Sequence, residues 1–451
     1  MISLSYFKNK GANRPKDGCF RMKVLLFNPN ALRGSDPAYP LGLSLVAAAA
    51  KKAGHWVQGI DLFSVNFPEE TIFSALEVFQ PDVVGVSVRN IDDQCMRTPI
   101  FFLEATKALL QTIRARFNGP VIVGGAGYSI FPKEALAYLQ ADYGIQGEGE
   151  RPFVMLLEAL EAKEANFSFP GIARSTAGEV VWFPNTSSAS LEGLWPDREL
   201  FSPLSYLGAG AGQFPVNMQT RRGCPLECIY CTNPWVEGKT MKFRNPEDVA
   251  KEVRSLSESY GIEQVTFVDS LFNHPSPYTE SILNAFFESH LKLAWECTYN
   301  PRFHDPLLLS KMRDAGCVRV SIGNESGSSS SLRALKKGFG LKHIERSILD
   351  SKRLGLETVC FLLIGAPGET KDSVLESVQF LDALNPSRVV VTIGIRLYPG
   401  LELAAIAAKE GMIGPGQNLL YPTFYLPREI DGWAESFFME EVLPSHSNWT
   451  M

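Results

Sequence analysis

The chain has 451 residues, with 43 basic and 49 acidic side chains and a formal net charge of −6. This length gives room for two or three domains, and the acidic balance argues against a protein that binds the nucleic-acid backbone. We find no apolar run of the roughly 20 residues that span a bilayer, and the first part of the chain lacks the apolar core of a secretory signal. We therefore expect a cytoplasmic protein with no membrane span and no nucleic-acid partner.

Predicted strands and helices alternate over the first third of the chain. Short apolar runs predict buried strands at 23–28, 56–62, 82–88, 121–123 and 143–145. Helical patterns lie between or beside them, at 41–53, 71–79, 100–117 and 132–139. This alternation is typical of right-handed βαβ units. We therefore predict an α/β fold that begins, after a tail at 1–20, with a doubly wound, Rossmann-like parallel sheet in residues 21–165. Ligands of such sheets bind at the carboxyl ends of the strands.

After a stretch of different composition, predicted strands and helices alternate again. Residues 166–212 predict a small hairpin and a linker, and residues 401–451 predict a C-terminal cap. Between them, in residues 213–400, strands are predicted at 215–220, 264–269, 293–299, 318–322, 358–364 and 388–395. Six βα repeats favour a partial (β/α)6 barrel, in which functional residues lie at the C-terminal strand ends. The aromatic side chains of the cap are expected to pack against the core: Trp433, Phe437, Phe438 and Trp449.

Three of the eight cysteines are crowded into one segment after the first strand of the second region, Cys224-x3-Cys228-x2-Cys231. The other five are scattered, which argues against a disulfide framework and for a reduced chain. A [4Fe–4S] cluster normally takes four thiolates, so three thiolates would leave one iron open. The alternatives are a structural zinc site, which wants a fourth ligand such as His274 or His304, or three ordinary thiols.

The segment from Arg221 to Cys231, Arg-Arg-Gly-Cys-x3-Cys-x-Tyr-Cys, resembles the signature of the radical S-adenosylmethionine (SAM) superfamily. The resemblance implies a [4Fe–4S] cluster whose open iron binds SAM. Later segments resemble further motifs of that superfamily: FVDS at 267–270, SIGNESG at 321–327, LRALKKG at 332–338, LIGAPGET at 363–370 and YPG at 398–400. The residues implied to contact SAM are Tyr230, Asp269, Glu325, Ser326, Ile364 and Gly365. Asp269 and Glu325 could also cap helices or pair with Arg302, Arg319 or Arg396.

The first domain resembles the cobalamin-binding domain of B12-dependent radical SAM enzymes. The segments that carry this resemblance are PLGLSLVA at 40–47, GVSV at 85–88, VIVGG at 121–125 and GEGE at 147–150. A dinucleotide is disfavoured because Asn28-Pro29-Asn30, and not a G-x-G-x-x-G loop, follows the first strand. The strand-end glycines could also be ordinary turns. The residues implied to contact cobalamin are Leu41, Gly42, Ser87, Arg89, Asn90, Gly124, Gly125, Gly147 and Glu148.

The D-x-H-x-x-G motif, whose histidine ligates cobalt in many cobalamin mutases, does not occur in this sequence. His55 lies outside such a loop. We expect Arg89 to keep the lower face of cobalt free of a protein ligand. A methylthiotransferase would carry three further cysteines in the first domain, which here holds only Cys95, with Cys19 in the tail.

Together the two resemblances imply a cobalamin-dependent radical SAM C-methyltransferase that acts on an unactivated carbon of a small molecule. The implied route uses methylcobalamin and a 5′-deoxyadenosyl radical, with an external electron donor such as flavodoxin or ferredoxin. The alternatives are ring contraction or cyclisation without methyl transfer, polar methyl transfer without SAM cleavage, and a zinc-stabilised binding protein. We predict His274, as a substrate contact or proton donor, and Arg396 as catalytic residues. Further polar residues near strand ends are candidates for the substrate pocket: Asn217, Gln219, Asn273 and Tyr299.

Overall fold

The structure of the protein is a computed structural model. It describes residues 21–29, 38–65, 68–164, 167–176, 178–186, 190–207 and 216–451. The predicted tail at 1–20, and Cys19 with it, lies outside these ranges. Within them, none of the helices combines the length and the apolar character that a membrane crossing requires.

The N-terminal domain is built on a sheet of seven strands among the described residues, and five of them are parallel. In chain order the strands are β1 (Lys23–Asn28), β2 (Trp56–Asp61), β3 (Val83–Ser87), β4 (Val121–Gly124), β5 (Tyr143–Ile145), β6 (Ile172–Thr176) and β7 (Glu179–Trp182). The helices are α1 (Leu41–Lys52), α2 (Pro68–Phe79), α3 (Phe102–Arg114), α4 (Ala126–Ile130), α5 (Pro132–Leu139) and α6 (Glu150–Glu161). The predicted parallel sheet is confirmed.

The strand order β2-β1-β3-β4-β5-β6-β7 contains one reversal. The chain leaves β1 for β2 on one side and then returns to β3 on the other. A doubly wound sheet binds its ligands at such a switch point, just beyond the carboxyl ends of the strands. The hairpin β6–β7, predicted within 166–212, pairs antiparallel with β5 and so extends this sheet beyond residue 165.

The second domain contains a parallel sheet in the order β18-β15-β14-β13-β12-β11-β8. The strands of this half are β8 (Asn217–Met218), β9 (Arg221–Arg222), β10 (Lys242–Phe243), β11 (Gln264–Phe267), β12 (Ala294–Tyr299), β13 (Cys317–Glu325), β14 (Glu357–Ile364), β15 (Arg388–Ile393), β16 (Ile395–Arg396), β17 (Phe424–Tyr425) and β18 (Trp449–Thr450). The order starts at β18 and ends at β8, so the barrel is open, as predicted.

The helices of the second domain lie between and after these strands in the chain. They are α7 (Asn233–Val236), α8 (Pro246–Tyr260), α9 (Ser276–Glu288), α10 (Pro306–Asp314), α11 (Ser329–Ala334), α12 (Leu341–Arg353), α13 (Lys371–Leu384), α14 (Glu402–Lys409), α15 (Trp433–Phe437) and α16 (Leu443–Ser445). Helix α8 begins with an N-cap residue followed by proline. The Asn245 side chain accepts a hydrogen bond from the Glu247 N–H, and Pro246 takes the first helical position.

The C-terminal segment belongs to the barrel. β18 pairs in parallel with β15, and Phe437, Phe438 and Trp449 lie in the apolar core of the sheet, with Trp433 packed against it. The expectation that these aromatic residues pack against the core is confirmed. The short antiparallel pairs β9–β10 and β16–β17 were not predicted.

One apolar cluster joins the two domains. It contains Val86 and Tyr128 of the first domain together with Ile229, Leu397 and Tyr398 of the second. Because these side chains are buried in a common core, the domains are held in one arrangement with the strand ends of both sheets near one another.

His55 lies directly before β2. Its environment indicates that the folded state is sensitive to acid. Its side chain is buried, and neither ring nitrogen has a hydrogen-bond partner among the described residues. Burial and Arg21 lower its pKa below 6.5, so the folded state resists the protonation that the unfolded state accepts. Stability should therefore be lost as the pH falls below about 6.5. In urea titrations at pH 7 and pH 5, His55→Leu should lose less stability than the wild type, and the exposed-site control His290→Leu should behave as wild type. Equal losses in all three proteins would contradict this assignment.

Candidate cofactor sites and the cavity between them

The loop between β9 and α7 carries the three clustered cysteines. Its entry is Gly223, at φ +93°, where a Cβ atom would lie 2.2 Å from the Thr240 carbonyl oxygen. Only glycine fits this approach. The loop then folds back on itself, since the Cys224 N–H donates to the Gly238 carbonyl (3.1 Å) and the Cys231 N–H to that of Cys228 (3.2 Å).

The three thiols face the same electrostatic environment. Burial raises the pKa of each thiol, that of Cys231 to about 11. Neighbouring cysteines raise the pKa of Cys224 and Cys231 further, and Glu325 does so for Cys228. Lys337 acts on all three in the opposite direction. Among the described residues, no group of three or more Cys, His, Asp or Glu side chains is preassembled for a metal ion. Three soft thiolate donors on one short loop nevertheless fit a [4Fe–4S] cluster with one open iron.

The two histidines considered as a fourth zinc ligand have other contacts. His304 Nδ1 lies 2.9 Å from the Tyr299 hydroxyl, and its Nε2 lies 3.0 Å from Asp350 Oδ2. Both ring nitrogens of His304 are therefore engaged. The His274 ring stacks on Phe303 with centroids 3.8 Å apart. The zinc alternative thus gains no fourth ligand from His304.

Tyr230, Glu325 and Lys337 converge beside the cysteines from three separate motifs. The pairing of β13 with β14 shifts register between Ile322 and Glu325, and Glu325 has φ +61°. Its Oε1 accepts from the Tyr230 hydroxyl (3.0 Å) and from Lys337 Nζ (3.1 Å). Lys337 lies in the predicted LRALKKG motif but was not assigned a role from sequence. In the structure Lys337 is buried next to the cysteine loop. Its role there is to donate to Glu325 and to lower the pKa of the three thiols.

Two residues predicted to contact SAM lie in the framework of the site. Asp269 is fully buried and accepts from the N–H groups of Thr220 (2.8 Å) and Arg221 (3.0 Å) and from the Thr220 hydroxyl (2.7 Å). The Ser326 hydroxyl, also buried, pairs with that of Ser377 at 2.9 Å. We therefore assign Asp269 to holding the entry of the cysteine loop and Ser326 to packing α13 behind β13.

The loop after β14 contains Gly365, at φ +133°, next to Ile364. Glu369 holds its shape: Oε2 accepts from the Gly365 N–H (2.6 Å) and the Ala366 N–H (3.1 Å), and Oε1 from the Ser331 hydroxyl (2.9 Å). Sequence analysis missed this role of Glu369, although the residue was part of the quoted LIGAPGET segment.

Three residues predicted at the substrate pocket are structural. Arg396 is buried; its Nε donates to Asp92 Oδ2 (2.7 Å), and its other nitrogens donate to backbone carbonyls that include those of Leu397 and Leu419. The assignment of Arg396 as catalytic is therefore corrected. Its guanidinium nitrogens bond to Asp92 and to backbone carbonyls, and these contacts anchor one domain to the other. Asn273 is also buried, with its amide bonded to backbone groups of residues 300 and 303, and Tyr299 is buried behind His304.

A cavity of about 360 Å³ lies between the two domains, at the switch point of the first sheet. Eight of the nine residues predicted to contact cobalamin line it: Leu41, Gly42, Ser87, Arg89, Gly124, Gly125, Gly147 and Glu148. Asn90 is exposed and is not part of the lining. The second domain contributes Asn217, Gln219, Arg222, Val236, Glu237 and Val268. The predicted cofactor pocket thus has a wall from each domain.

The lining fits a large ligand rich in amide groups. Gly125, which lines the cavity, has φ +109°, and a Cβ there would lie 2.6 Å from the Val88 carbonyl oxygen, so only glycine fits at this strand end. Asn217 Oδ1 is buried without a hydrogen-bond donor among the described residues, although its Nδ2 donates to the Tyr39 carbonyl. An unsatisfied acceptor in the wall suits the amide N–H groups of a corrinoid. His55 does not line the cavity.

Comparison with known proteins agrees with both halves of the structure. Residues 33–157 match the model of the B12 binding domain, and residues 218–381 match that of the radical SAM superfamily. The chain is 25% identical to cytidylyl-2-hydroxyethylphosphonate methyltransferase of Streptomyces wedmorensis, over 89% of this chain and 84% of the relative. It is 24% identical to tryptophan 2-C-methyltransferase of Streptomyces laurentii, over 86% and 74% respectively.

The fold is also shared with a solved structure. The radical SAM methyltransferase TsrM from Kitasatospora setae, solved with cobalamin and a [4Fe–4S] cluster bound, superposes with a TM-score of 0.77. The sequences are 24% identical, and the alignment covers 87% of this chain and 75% of that one. The fold and the cysteine loop define a radical SAM protein. The chain thus joins a B12 binding domain to a radical SAM domain.

The glycine that opens the cysteine loop gives a direct test of the loop geometry. Gly223→Ala should lower the iron bound after anaerobic reconstitution by about tenfold or more, as when support of a metal site is lost. Its Cβ would meet the Thr240 carbonyl, and alanine disfavours φ +93°. The matched control is Gly414→Ala, where no atom lies within 4 Å of the new Cβ. Wild-type iron content in Gly223→Ala would show that the loop does not need this conformation.

Proposed function

We propose that the protein is a C-methyltransferase that methylates an unactivated carbon of a small molecule, using cobalamin, SAM and a [4Fe–4S] cluster. One observation carries the proposal. The cavity at the switch point of the B12-type sheet has Arg222 and Glu237 in its wall, and both flank the loop of the three cysteines. A ligand in this cavity would lie next to whatever the cysteines hold.

Each cofactor has a set of residues suited to it. Cys224, Cys228 and Cys231 would hold the cluster, and Tyr230, Glu325, Ile364 and Gly365 are proposed SAM contacts. The strand-end residues that line the cavity would hold cobalamin. When bound, these groups supply methyl carriage and the generation of a substrate radical. The chain itself supplies placement and the exclusion of water.

Two side chains have proposed roles next to the reacting groups. Arg89 lines the cavity at the end of β3, and we propose that it lies at the lower face of cobalt in place of a histidine. Burial, together with Arg221 and Arg302, lowers the pKa of His274 below 6.5. The lowered pKa favours the neutral ring, which can accept a hydrogen bond through one nitrogen and donate one through the other. We keep His274 as a proposed substrate contact or proton donor.

The partners follow from the same chemistry. We propose a one-electron donor such as flavodoxin or ferredoxin as the external partner and a small molecule as the substrate. A reducing, cytoplasmic location is proposed because every cysteine of the described residues is a free thiol.

Methyl-labelled SAM tests the reaction class. The reconstituted protein, a chemical reductant and a small-molecule extract of the source cells are incubated with SAM that carries an isotopic methyl group. The expected result is a metabolite that gains the labelled methyl only with intact protein. The matched control protein is Cys231→Ala. Formation of 5′-deoxyadenosine from SAM with no labelled product would favour cyclisation or ring contraction. Labelled product with loss of the methyl group from SAM, but without formation of 5′-deoxyadenosine, would favour polar transfer.

A further inference from the structure

Arg222 lies two residues before the first cluster cysteine and reaches into the other domain. Its side chain is buried, with Nη2 2.7 Å from Glu150 Oε1 and Nη1 3.1 Å from Glu148 Oε1. Both carboxylates belong to the Gly-Glu-Gly-Glu segment that follows β5, and both line the cavity between the domains. A single guanidinium therefore spans from the cysteine loop to the wall of the proposed cobalamin site.

A chain of hydrogen bonds connects the Arg222 side chain to the backbone of the cysteine loop. Arg222 Nε donates to Gln219 Oε1 (2.8 Å), and Gln219 Nε2 donates to Glu237 Oε1 (2.7 Å). The other oxygen of Glu237 accepts from the N–H of Gly223, the residue next to Cys224 (3.1 Å). The chain of hydrogen bonds thus starts at the backbone of the cysteine loop and ends on the first domain.

Two of the carboxylates in this network, Glu148 and Glu150, are each paired with a cation. Lys242 on β10 is a second cation on Glu148, and Arg222 is the cation that pairs with Glu150. A buried carboxylate that loses its partner is strongly destabilised. The planar fork of arginine can hold two carboxylates at fixed angles, which the single ammonium of a lysine cannot do.

We propose that Arg222 is a positioning residue that sets the distance and orientation between the cluster loop and the cobalamin cavity. The proposal rests on the proposed function, because it assumes that both cofactors bind. It assigns Arg222 no contact with substrate. Reactions between bound groups are sensitive to displacements of about 1 Å, so a rigid link between the two cofactor sites would govern transfer between them.

The test measures geometry. Wild-type protein, Arg222→Met and Arg222→Lys are loaded with cobalamin and iron, and each is reduced to cob(II)alamin and the one-electron-reduced cluster. Pulsed electron paramagnetic resonance then gives the distribution of cobalt-to-cluster distances. The matched control is Lys239→Met, which removes the exposed pair with Glu227 from the same loop. A charge exchange, Arg222→Glu with Glu150→Arg, tests rescue.

The wild type and Lys239→Met should give the same narrow distribution. Arg222→Met should broaden or shift it and raise the dissociation constant for cobalamin by about tenfold or more, as for supporting residues of metal sites. Arg222→Lys should be intermediate, and the charge exchange should be narrower than Arg222→Glu alone. Unchanged distances in Arg222→Met would overturn the inference while leaving the proposed function intact. A wild type that binds neither cofactor would overturn both. If Arg222→Met does not fold, the comparison of Arg222→Lys with wild type decides.

Discussion

Replacing Cys224, Cys228 or Cys231 singly by alanine is expected to remove nearly all of the iron and sulfide that the protein binds on anaerobic reconstitution. Each cysteine supplies one of three thiolates, and a cluster that already has one open iron has no spare ligand. The broad visible absorption from thiolate-to-iron charge transfer should disappear with the iron. Iron and sulfide assays with absorption spectra measure the effect.

Cys95→Ala is the matched control, because this free thiol belongs to the first domain and not to the three-cysteine motif. It should keep wild-type iron and sulfide. The cluster assignment would be wrong if the three loop variants also retained their metal content. Zinc in place of iron, with no sulfide, would support the structural zinc alternative.

Breaking the buried ion pair between Arg396 and Asp92 should cause the largest loss of stability among single substitutions of charged residues at the domain boundary. Both side chains are almost fully buried, and the Nε to Oδ2 distance is 2.7 Å. Removing one partner of such a pair costs about 3–5 kcal/mol, because the other charge is left buried and unpaired. Arg396→Met and Asp92→Leu should therefore lower the free energy of unfolding in urea by about this amount.

The exposed pair of Arg97 and Glu435 provides the control, with a distance of 2.9 Å. Arg97→Met should cost about 1 kcal/mol or less. The double variant Arg396→Met with Asp92→Leu should be more stable than either single variant, since neither charge is then left alone. Equal effects at the buried and exposed pairs would show that Arg396 is not the anchor that the structure indicates.

The parts of the fold that follow from local pattern were predicted well. The strand limits 23–28 and 143–145 agree with β1 and β5, because short apolar runs between polar turns define buried parallel strands. Helix 100–117 is longer in prediction than α3, since its ends depend on turns around Phe101 and Ala115 that the pattern does not mark. The pairing of β18 with β15 joins residues far apart in the chain and has no local signal.

In the candidate site, too, residues that follow a local sequence pattern were predicted, and roles that depend on distant parts of the chain were not. Spacing along one loop singled out the three cysteines, and the motifs of the first domain singled out eight residues of the cavity lining. Arg396 could not be assigned correctly, because its partner Asp92 lies 304 positions earlier and only the packing of the domains brings them together. Arg222 and Lys337 were inside quoted motifs, but their roles depend on Glu148, Glu150 and Glu325, which the fold places beside them.

The cofactor content of the purified protein decides whether one chain carries both cobalamin and a [4Fe–4S] cluster. After anaerobic reconstitution with iron, sulfide and cobalamin, metal analysis should give about one cobalt and four irons per chain. Arg89→Ala and Cys228→Ala should then change the cobalt environment and the iron content separately. Full iron with no cobalt, even at saturating cobalamin, would contradict a cobalamin-dependent enzyme, and zinc without iron would contradict the radical chemistry as well.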